Sequence, residues 1–213
     1  MPILEIRKLS SSRSIALWKI TEDIDTLFRQ CMLKAEEIHL LKAYKSKIKQ
    51  KEWLTGRLTI QTLLELLNQN YQGIKKNGDG KPVLSLRNGE ISITHSYPYV
   101  AAIYDKHENV GIDIEQPTPK LRLIAKKFLS DSELEFTQND LIRLCICWCA
   151  KEALYKIYSK KGLIFSENLF INEFEPKSEG VISGSIIANN TEKKYNLQYS
   201  VEQDYVLVYN VQS

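Results

Sequence analysis

Hydrophobic and polar positions repeat with two different periods along the first half of the chain, and these periods predict its strands and helices. Alternation at every second residue is typical of a half-buried strand, whereas apolar residues three and four apart are typical of a helix. Thr21 is placed to cap the first helix, and 77–82 has the composition of a turn. The predicted elements are strands at 2–8 and 14–20, helices at 24–46 and 48–69, and strands at 83–86, 90–95 and 99–104.

The second half begins with another alternating strand, at 110–115, and contains the strongest helical pattern of the chain, at 140–158. From Leu141 to Ala150 this helix is apolar nearly all round, which predicts that it is mostly buried. The order of elements predicts an α+β fold with two halves and a boundary near 105–110. The other predicted elements are helices at 121–127 and 131–136 and strands at 169–174, 181–188, 194–201 and 205–211.

Composition narrows the classes of protein that fit this pattern. The chain has 213 residues, of which 43% are hydrophobic, and a formal net charge of +3. It is long enough for a sizeable core, and its charge does not indicate a general nucleic-acid binder. The start of the chain does not resemble a signal peptide, and no window approaches the roughly 20 apolar residues that span a bilayer. We therefore expect a cytoplasmic protein with no membrane part.

Basic residues are concentrated in one short stretch of the first half. Two interpretations stay open for this stretch: a surface that docks an acidic protein, or a solvated helix face. Arg57 follows it. The basic residues of the stretch are Lys42, Lys45, Lys47, Lys49 and Lys51.

Three of the four cysteines lie in the apolar helix, at Cys145, Cys147 and Cys149. On a helix, residues 145 and 149 share a face while residue 147 points nearly opposite, so the three thiols cannot converge on one zinc ion. We expect buried, reduced cysteines that act as small apolar residues.

Asp113 and Glu115 are the first candidates for chemistry. Residues two apart in a strand point to the same side, so the two carboxylates are neighbours while Ile112 and Ile114 face a core. Adjacent carboxylates repel unless a cation or proton lies between them, and oxygen ligands suit a hard cation such as Mg²⁺. A solvated strand edge is the alternative explanation.

The apolar helix adds a second pair of candidates. Glu152 and Lys156 are four residues apart and share a helix face, with Trp148 one turn earlier. They are either an ordinary surface ion pair, or a third oxygen ligand together with a lysine that contacts phosphate.

A third set of candidates lies on the turn and strand from 77 to 96. Lys81 projects from a turn constrained by two glycines and Pro82, and His95 ends an alternating strand next to Thr94. Such groups are donors that phosphate oxygens accept. A lone histidine is more often structural, so the signal is weak by itself.

Taken in order, these motifs resemble the 4'-phosphopantetheinyl transferase superfamily. The motifs are Lys-Pro, Thr-His-Ser, Gly-Ile-Asp-Ile-Glu from Gly111, and Trp-x-x-Lys-Glu-Ala-x-x-Lys from Trp148. The resemblance covers about 44–165, and the length is similar to the monomeric, Sfp-type branch. It implies two similar α/β halves packed with pseudo-two-fold symmetry and an active site in the cleft between them. The halves would be 1–108, which contacts the coenzyme A nucleotide, and 109–213, which carries the metal site and the catalytic helix.

The resemblance also implies roles for particular residues. The metal ligands would be Asp113, Glu115 and Glu152, with Mg²⁺ as the cation and Mn²⁺ as a possibility. The catalytic residues would be Glu152 and Lys156. Our own interpretation makes Glu152 the general base, directly or through a metal-bound water. The residues that hold coenzyme A would be Arg57, Lys81, Thr94, His95, Lys151 and Lys156. Lys51 competes with Arg57 for its role, because the motif around Arg57 is loose.

Three positions, in two motifs, depart from the usual family pattern. Ser92 and Thr94 stand where the strand motif often has Asn and Ser, and Cys149 follows Trp148 where Thr or Ser is frequent. These changes spare the proposed ligands, but they put in doubt close inferences about hydrogen bonds around the nucleotide.

The expected reaction transfers the 4'-phosphopantetheine of coenzyme A to a serine of an apo acyl carrier or peptidyl carrier protein and releases adenosine 3',5'-bisphosphate. The carriers of fatty-acid, polyketide and non-ribosomal peptide synthesis all remain open as partners. One alternative is a magnesium-dependent nucleotidyl transferase or phosphohydrolase that acts on another diphosphate. A non-enzymatic nucleic-acid-binding module built on the basic stretch is the other.

Overall fold

The chain consists of two compact units, which are Met1–Asn109 and Val110–Ser213. The computed structural model describes residues 3–211, so Pro2 of the first predicted strand lies outside the described residues. Each unit combines an antiparallel sheet with helices that cover it. The predicted α+β class is therefore confirmed.

The first unit consists of a four-stranded sheet, a long helix and several short elements. The sheet has the order β1-β2-β6-β5, and β3 and β4 form a separate two-stranded sheet. Leu54, Leu63 and Leu64 of the long helix are fully buried in the core. The elements are β1 (Ile3–Lys8), β2 (Arg13–Lys19), α1 (Ile24–Gln30), α2 (Ala35–Ala43), α3 (Lys47–Leu66), β3 (Ile74–Lys76), β4 (Pro82–Leu84), β5 (Glu90–Ser96) and β6 (Tyr99–Asp105).

The helix predicted at 24–46 is wrong, because the structure divides it into α1 and α2. Asp23, not Thr21, caps α1, and its carboxylate accepts the N–H of Thr26 at 2.7 Å. The chain leaves the helix at Cys31, where ψ is 131°. A new helix begins after Lys34, whose N–H is accepted by the Glu37 carboxylate at 3.2 Å. These local caps stop a helix that periodicity alone would continue.

The second unit packs a buried helix against a five-stranded sheet of order β7-β11-β10-β9-β8. The helix, α6, is buried on most sides, as its apolar sequence predicts. Asp140 caps its start by accepting the N–H of Arg143 at 2.8 Å. The elements are β7 (Ile112–Glu115), α4 (Lys120–Phe128), α5 (Asp131–Thr137), α6 (Leu141–Tyr158), α7 (Phe165–Asn168), β8 (Leu169–Ile171), β9 (Glu179–Ala188), β10 (Thr191–Val201) and β11 (Val206–Asn210).

The three cysteines of α6 lie in the core of the second unit. Cys145, Cys147 and Cys149 are each 0% exposed, and their thiols are free. Burial raises the pKa of Cys147 and of Cys149 above the usual value, so these two thiols stay protonated. Over residues 3–211, no helix combines the length and the apolar character needed to cross a membrane.

Candidate active site

Strand β7 presents two carboxylates to helix α6. In the antiparallel register, Asp113 pairs with Val208 and Glu115 with Val206. Both valines belong to the core that packs around α6, and cross-strand partners share a face, so the acids face the helix. Ile112 lies on the opposite face and is fully buried, in agreement with the predicted alternation.

Gly111 allows β7 to approach α6 closely. A side chain at this position would collide with the backbone carbonyl of Ala153 and with Ile157. The N–H of Gly111 donates to the Asn210 side chain at 2.9 Å, which fixes the start of the strand. The contact point on α6 is one residue after Glu152, so the glycine sets the distance between the strand acids and the helix acid.

Lys156 holds Asp113 in place. Its ammonium donates to Asp113 Oδ1 at 2.6 Å and to the carbonyl of Ile112 at 2.9 Å. The Asp113 side chain is only 5% exposed, whereas that of Lys156 is 24% exposed. Lys156 therefore pairs with Asp113 of β7 and not with Glu152, its neighbour four residues earlier on α6.

Glu152 lies in the same electrostatic neighbourhood as the strand acids. Burial, then the charge of Asp113, and to a lesser extent that of Glu115, raise the pKa of Glu152 to about 7, while Lys156 opposes the shift. The side chain also lines an apolar groove of about 310 Å³. The other residues of this groove are Ile124, Lys127, Phe128, Trp148 and Phe165.

We call Asp113, Glu115, Glu152 and Lys156 the acidic corner. Three carboxylates and one ammonium leave an excess of negative charge, and hard oxygen donors of this kind suit a divalent cation. Among residues 3–211, however, no group of three or more His, Cys, Asp or Glu side chains is arranged so that it could hold a metal ion. The donor chemistry fits a hard cation, but the ligand set is not assembled here, and the metal site stays a prediction.

Lys151, predicted to hold coenzyme A, lies in the core of the second unit at 0% exposure. Its ammonium contacts Glu133 Oε2 at 2.5 Å and donates to the carbonyls of Phe128 at 2.7 Å and Phe165 at 3.1 Å. Three partners use the donors of one ammonium. The geometry therefore does not support a nucleotide contact by Lys151. The lysine instead joins the segments that contain Phe128 and Phe165, and both of these residues line the apolar groove.

A second cavity, of about 460 Å³, lies within the first unit, and we call it the basic pocket. Arg57 and His95, predicted to hold the coenzyme A nucleotide, both line it. The Arg57 guanidinium stacks on Trp53, with Cζ 3.2 Å from the ring centroid. The other lining residues are Leu40, Ala43, Tyr44, Lys49, Glu52, Gly56, Ile74, Lys75, Lys76, Pro82 and Ile93.

Buried carboxylates hold the basic side chains of this pocket. Glu37 accepts a hydrogen bond from Arg57 Nε at 2.9 Å. Glu52, only 4% exposed, pairs with Lys49 at 2.8 Å, and its other oxygen lies 3.5 Å from His95 Nδ1. The hydrogen bond from Glu37 therefore fixes Arg57 at its inner side, whereas Lys49 and His95 lie within ion-pair distance of Glu52.

Lys81 and Thr94 lie near the basic pocket but are absent from its lining. Asn77 builds the turn that carries Lys81, since its side chain accepts the N–H of Lys81 at 2.9 Å. The Lys81 ammonium is 3.5 Å from Glu90, and burial lowers its pKa. Thr94 is buried and alternates with His95 along β5, so it faces away from the pocket.

Several residues of these sites were missed in the sequence. Glu37 lies on α2 and Glu52 on α3, and their contacts with Arg57 and His95, far along the chain, leave no local signal. Lys75 and Lys76 belong to β3, a three-residue strand that was not predicted. Their position directly before the turn at 77–82 was the one available hint.

A family comparison agrees with the motifs of the second unit. Residues 109–209 match the family model of the 4'-phosphopantetheinyl transferase superfamily. The matched segment, just under half of the chain, contains the whole acidic corner, and over this segment the chain is similar to that superfamily. No curated protein matches the sequence.

Proposed function

We propose that this protein transfers the 4'-phosphopantetheine of coenzyme A to a serine hydroxyl of an apo acyl carrier or peptidyl carrier protein. The observation that carries the proposal is the acidic corner, in which Lys156 contacts Asp113 at 2.6 Å and the charge of Asp113 raises the pKa of Glu152. It lies within the segment that matches the superfamily. The Sfp-type branch, a monomeric state and a cytoplasmic location stay predictions.

The reaction has a simple balance of bonds. The serine oxygen of the carrier forms a bond to the phosphorus that carries the pantetheine. The bond from that phosphorus to the bridging oxygen of the diphosphate breaks, and adenosine 3',5'-bisphosphate leaves with the electron pair. The serine proton must pass to a base, because a neutral hydroxyl is a poor nucleophile.

Glu152 is our candidate for that base. Asp113 is tied to Lys156 by an ion pair of 2.6 Å, whereas Glu152 lines the groove beside Trp148 and is open to a reacting group. Lys156 is partly exposed and can stabilise negative charge on the diphosphate. A divalent cation held by Asp113, Glu115 and Glu152 would supply further stabilisation of that charge.

The basic pocket is our candidate for the nucleotide end of coenzyme A. Arg57 and His95 present donors to it, and Trp53 adds an aromatic surface. Arginine suits the planar, multidentate recognition of a phosphate. Lys81 remains a candidate contact at the neighbouring turn, whereas the burial of Thr94 and Lys151 argues against direct contacts by these two residues.

Intact mass of the carrier tests the proposal. Purified protein is incubated with coenzyme A, Mg²⁺ and a panel of apo carriers of fatty-acid, polyketide and peptide synthesis. We expect at least one carrier to gain the mass of one phosphopantetheine, and the same carrier with its serine changed to alanine to gain none. Parallel reactions with Mn²⁺ compare the two metals.

The result that would overturn the proposal is a folded protein that modifies no carrier of the panel. Turnover of coenzyme A or of a nucleotide in the absence of any carrier would favour the alternative, a phosphohydrolase or nucleotidyl transferase on another diphosphate. Binding of RNA or DNA with a steep dependence on salt, unaffected by Asp113→Asn, would favour the nucleic-acid module.

A further inference from the structure

We propose that Glu37 is a positioning residue that aims the Arg57 guanidinium into the basic pocket and thereby sets the preference of the site for a nucleotide with a 3'-phosphate. The inference rests on the proposed function, because it assumes that the pocket receives the nucleotide of coenzyme A. It concerns a residue of α2 that does not line the pocket itself.

The Glu37 carboxylate is buried, and both of its oxygens accept hydrogen bonds. It is 7% exposed, and its Oε1 accepts from Arg57 Nε at 2.9 Å and from the N–H of Ile74 at 3.4 Å. Its Oε2 accepts the N–H of Lys34 at 3.2 Å. A side chain on Gly73 would come within 2.9 Å of this oxygen, so the carboxylate has little freedom to move.

The Arg57 guanidinium is held at Nε and on one of its faces, and it lines the basic pocket. Glu37 binds Nε, and the Trp53 ring supports one face of the guanidinium. Among residues 3–211, Glu37 is the one side chain that accepts a hydrogen bond from Arg57. The terminal nitrogens Nη1 and Nη2 are therefore available to an anion in the pocket, in the forked geometry that suits a phosphate.

Two polar groups close to this pair, the Cys31 thiol and the Tyr71 hydroxyl, are neutral. Burial raises the pKa of the Cys31 thiol to about 12 and also raises the pKa of the Tyr71 hydroxyl. Both groups sense the charges of Glu37 and Arg57, so they lie close to the pair. Among residues 3–211, Glu37 is the acid that pairs with this partly buried arginine, and it is the counter-charge that keeps the arginine in place.

The test measures binding of two nucleotides, adenosine 3',5'-bisphosphate and adenosine 5'-monophosphate, by calorimetry. The wild-type chain is expected to bind the bisphosphate more tightly. Glu37→Gln should reduce the ratio of the two affinities about tenfold, because the guanidinium loses its charged anchor. Glu36→Gln is the matched control, since Glu36 is the exposed neighbour on the same helix, and it should leave the ratio unchanged.

A double-mutant cycle separates positioning from general damage. In a chain that already carries Arg57→Gln, Glu37→Gln should cause no further loss of the 3'-phosphate preference. The inference is overturned if Glu37→Gln weakens both nucleotides equally, if its effect adds in full to that of Arg57→Gln, or if the wild-type chain shows no preference. A chain that discriminates the nucleotides but modifies no carrier would contradict the proposed function and leave the inference standing.

Discussion

The basic pocket of the first unit and the acidic corner of the second unit hold their charged side chains in opposite ways. In the pocket, the buried acids Glu37 and Glu52 hold cations that face the cavity. In the corner, Lys156 holds Asp113, and the corner retains an excess of carboxylates. A site with surplus cations suits a phosphate, whereas a site with surplus acids needs a metal ion or a proton.

Because of this difference, we expect the two sites to affect different kinetic constants. Groups that bind the substrate equally in ground and transition states affect KM, whereas groups that act only in the transition state affect kcat. We expect changes in the basic pocket to act on KM for coenzyme A and changes in the acidic corner to act on kcat.

The largest expected effect is that of Glu152→Gln. Removing a general base typically costs between about 10² and 10⁴ in rate, so kcat should fall by that factor while KM for coenzyme A changes little. Intact-mass kinetics with a responsive carrier measures both constants. Glu135→Gln, an exposed acid on α5, is the control. A fall in kcat of less than about tenfold would show that Glu152 is not the general base.

Lys151→Met should cause the largest loss of stability. It leaves the charge of Glu133 buried without its partner, at a cost of about 3–5 kcal/mol in the free energy of unfolding. Urea denaturation measures this cost against Lys160→Met, which changes an exposed lysine. The fraction of the Lys151→Met variant that remains folded should bind adenosine 3',5'-bisphosphate normally. Weaker binding of the bisphosphate with unchanged stability would instead support the direct nucleotide contact by Lys151 that the sequence predicted.

A smaller loss is expected for Gly111→Ala. The added methyl group collides with the Ala153 carbonyl, and overpacking of this kind costs about 1–3 kcal/mol. The strand should move away from α6, so kcat should fall more than stability alone explains. Gly78→Ala is the control, because a side chain at that glycine meets nothing. Full activity of the Gly111 variant would mean that close approach of β7 is unnecessary.

The smallest effect concerns His95→Ala in the basic pocket. Loss of one phosphate donor should raise KM for coenzyme A about tenfold, with kcat unchanged. His39→Ala, an exposed histidine on α2, serves as the comparison. A fall in kcat without a change in KM would contradict the proposed division between the two regions.

The sequence predicted the acidic corner better than the basic pocket. Both elements of the corner, β7 and α6, have regular periods, so the shared face of Asp113 and Glu115 and the burial of α6 could be read directly. Periodicity does not tell which charged residue finds a buried partner, so it did not indicate the pairing of Lys151 with Glu133.

The pocket depends on contacts between distant segments. The caps at Asp23 and Lys34 divide the predicted helix, and the Glu37–Arg57 pair joins α2 to α3. Pairings of this kind are fixed by tertiary packing, and no local pattern records them. The family resemblance, rather than the periodicity, identified Arg57 as a candidate, whereas His95 was already a weak candidate at the end of an alternating strand.

The most direct test of the account follows both products of one reaction. A responsive apo carrier, coenzyme A and Mg²⁺ are mixed with the protein, and carrier mass and free adenosine 3',5'-bisphosphate are measured over time. The account predicts that each mole of bisphosphate appears with one mole of modified carrier, and that neither appears without the carrier. Release of the bisphosphate with the carrier mass unchanged would contradict it.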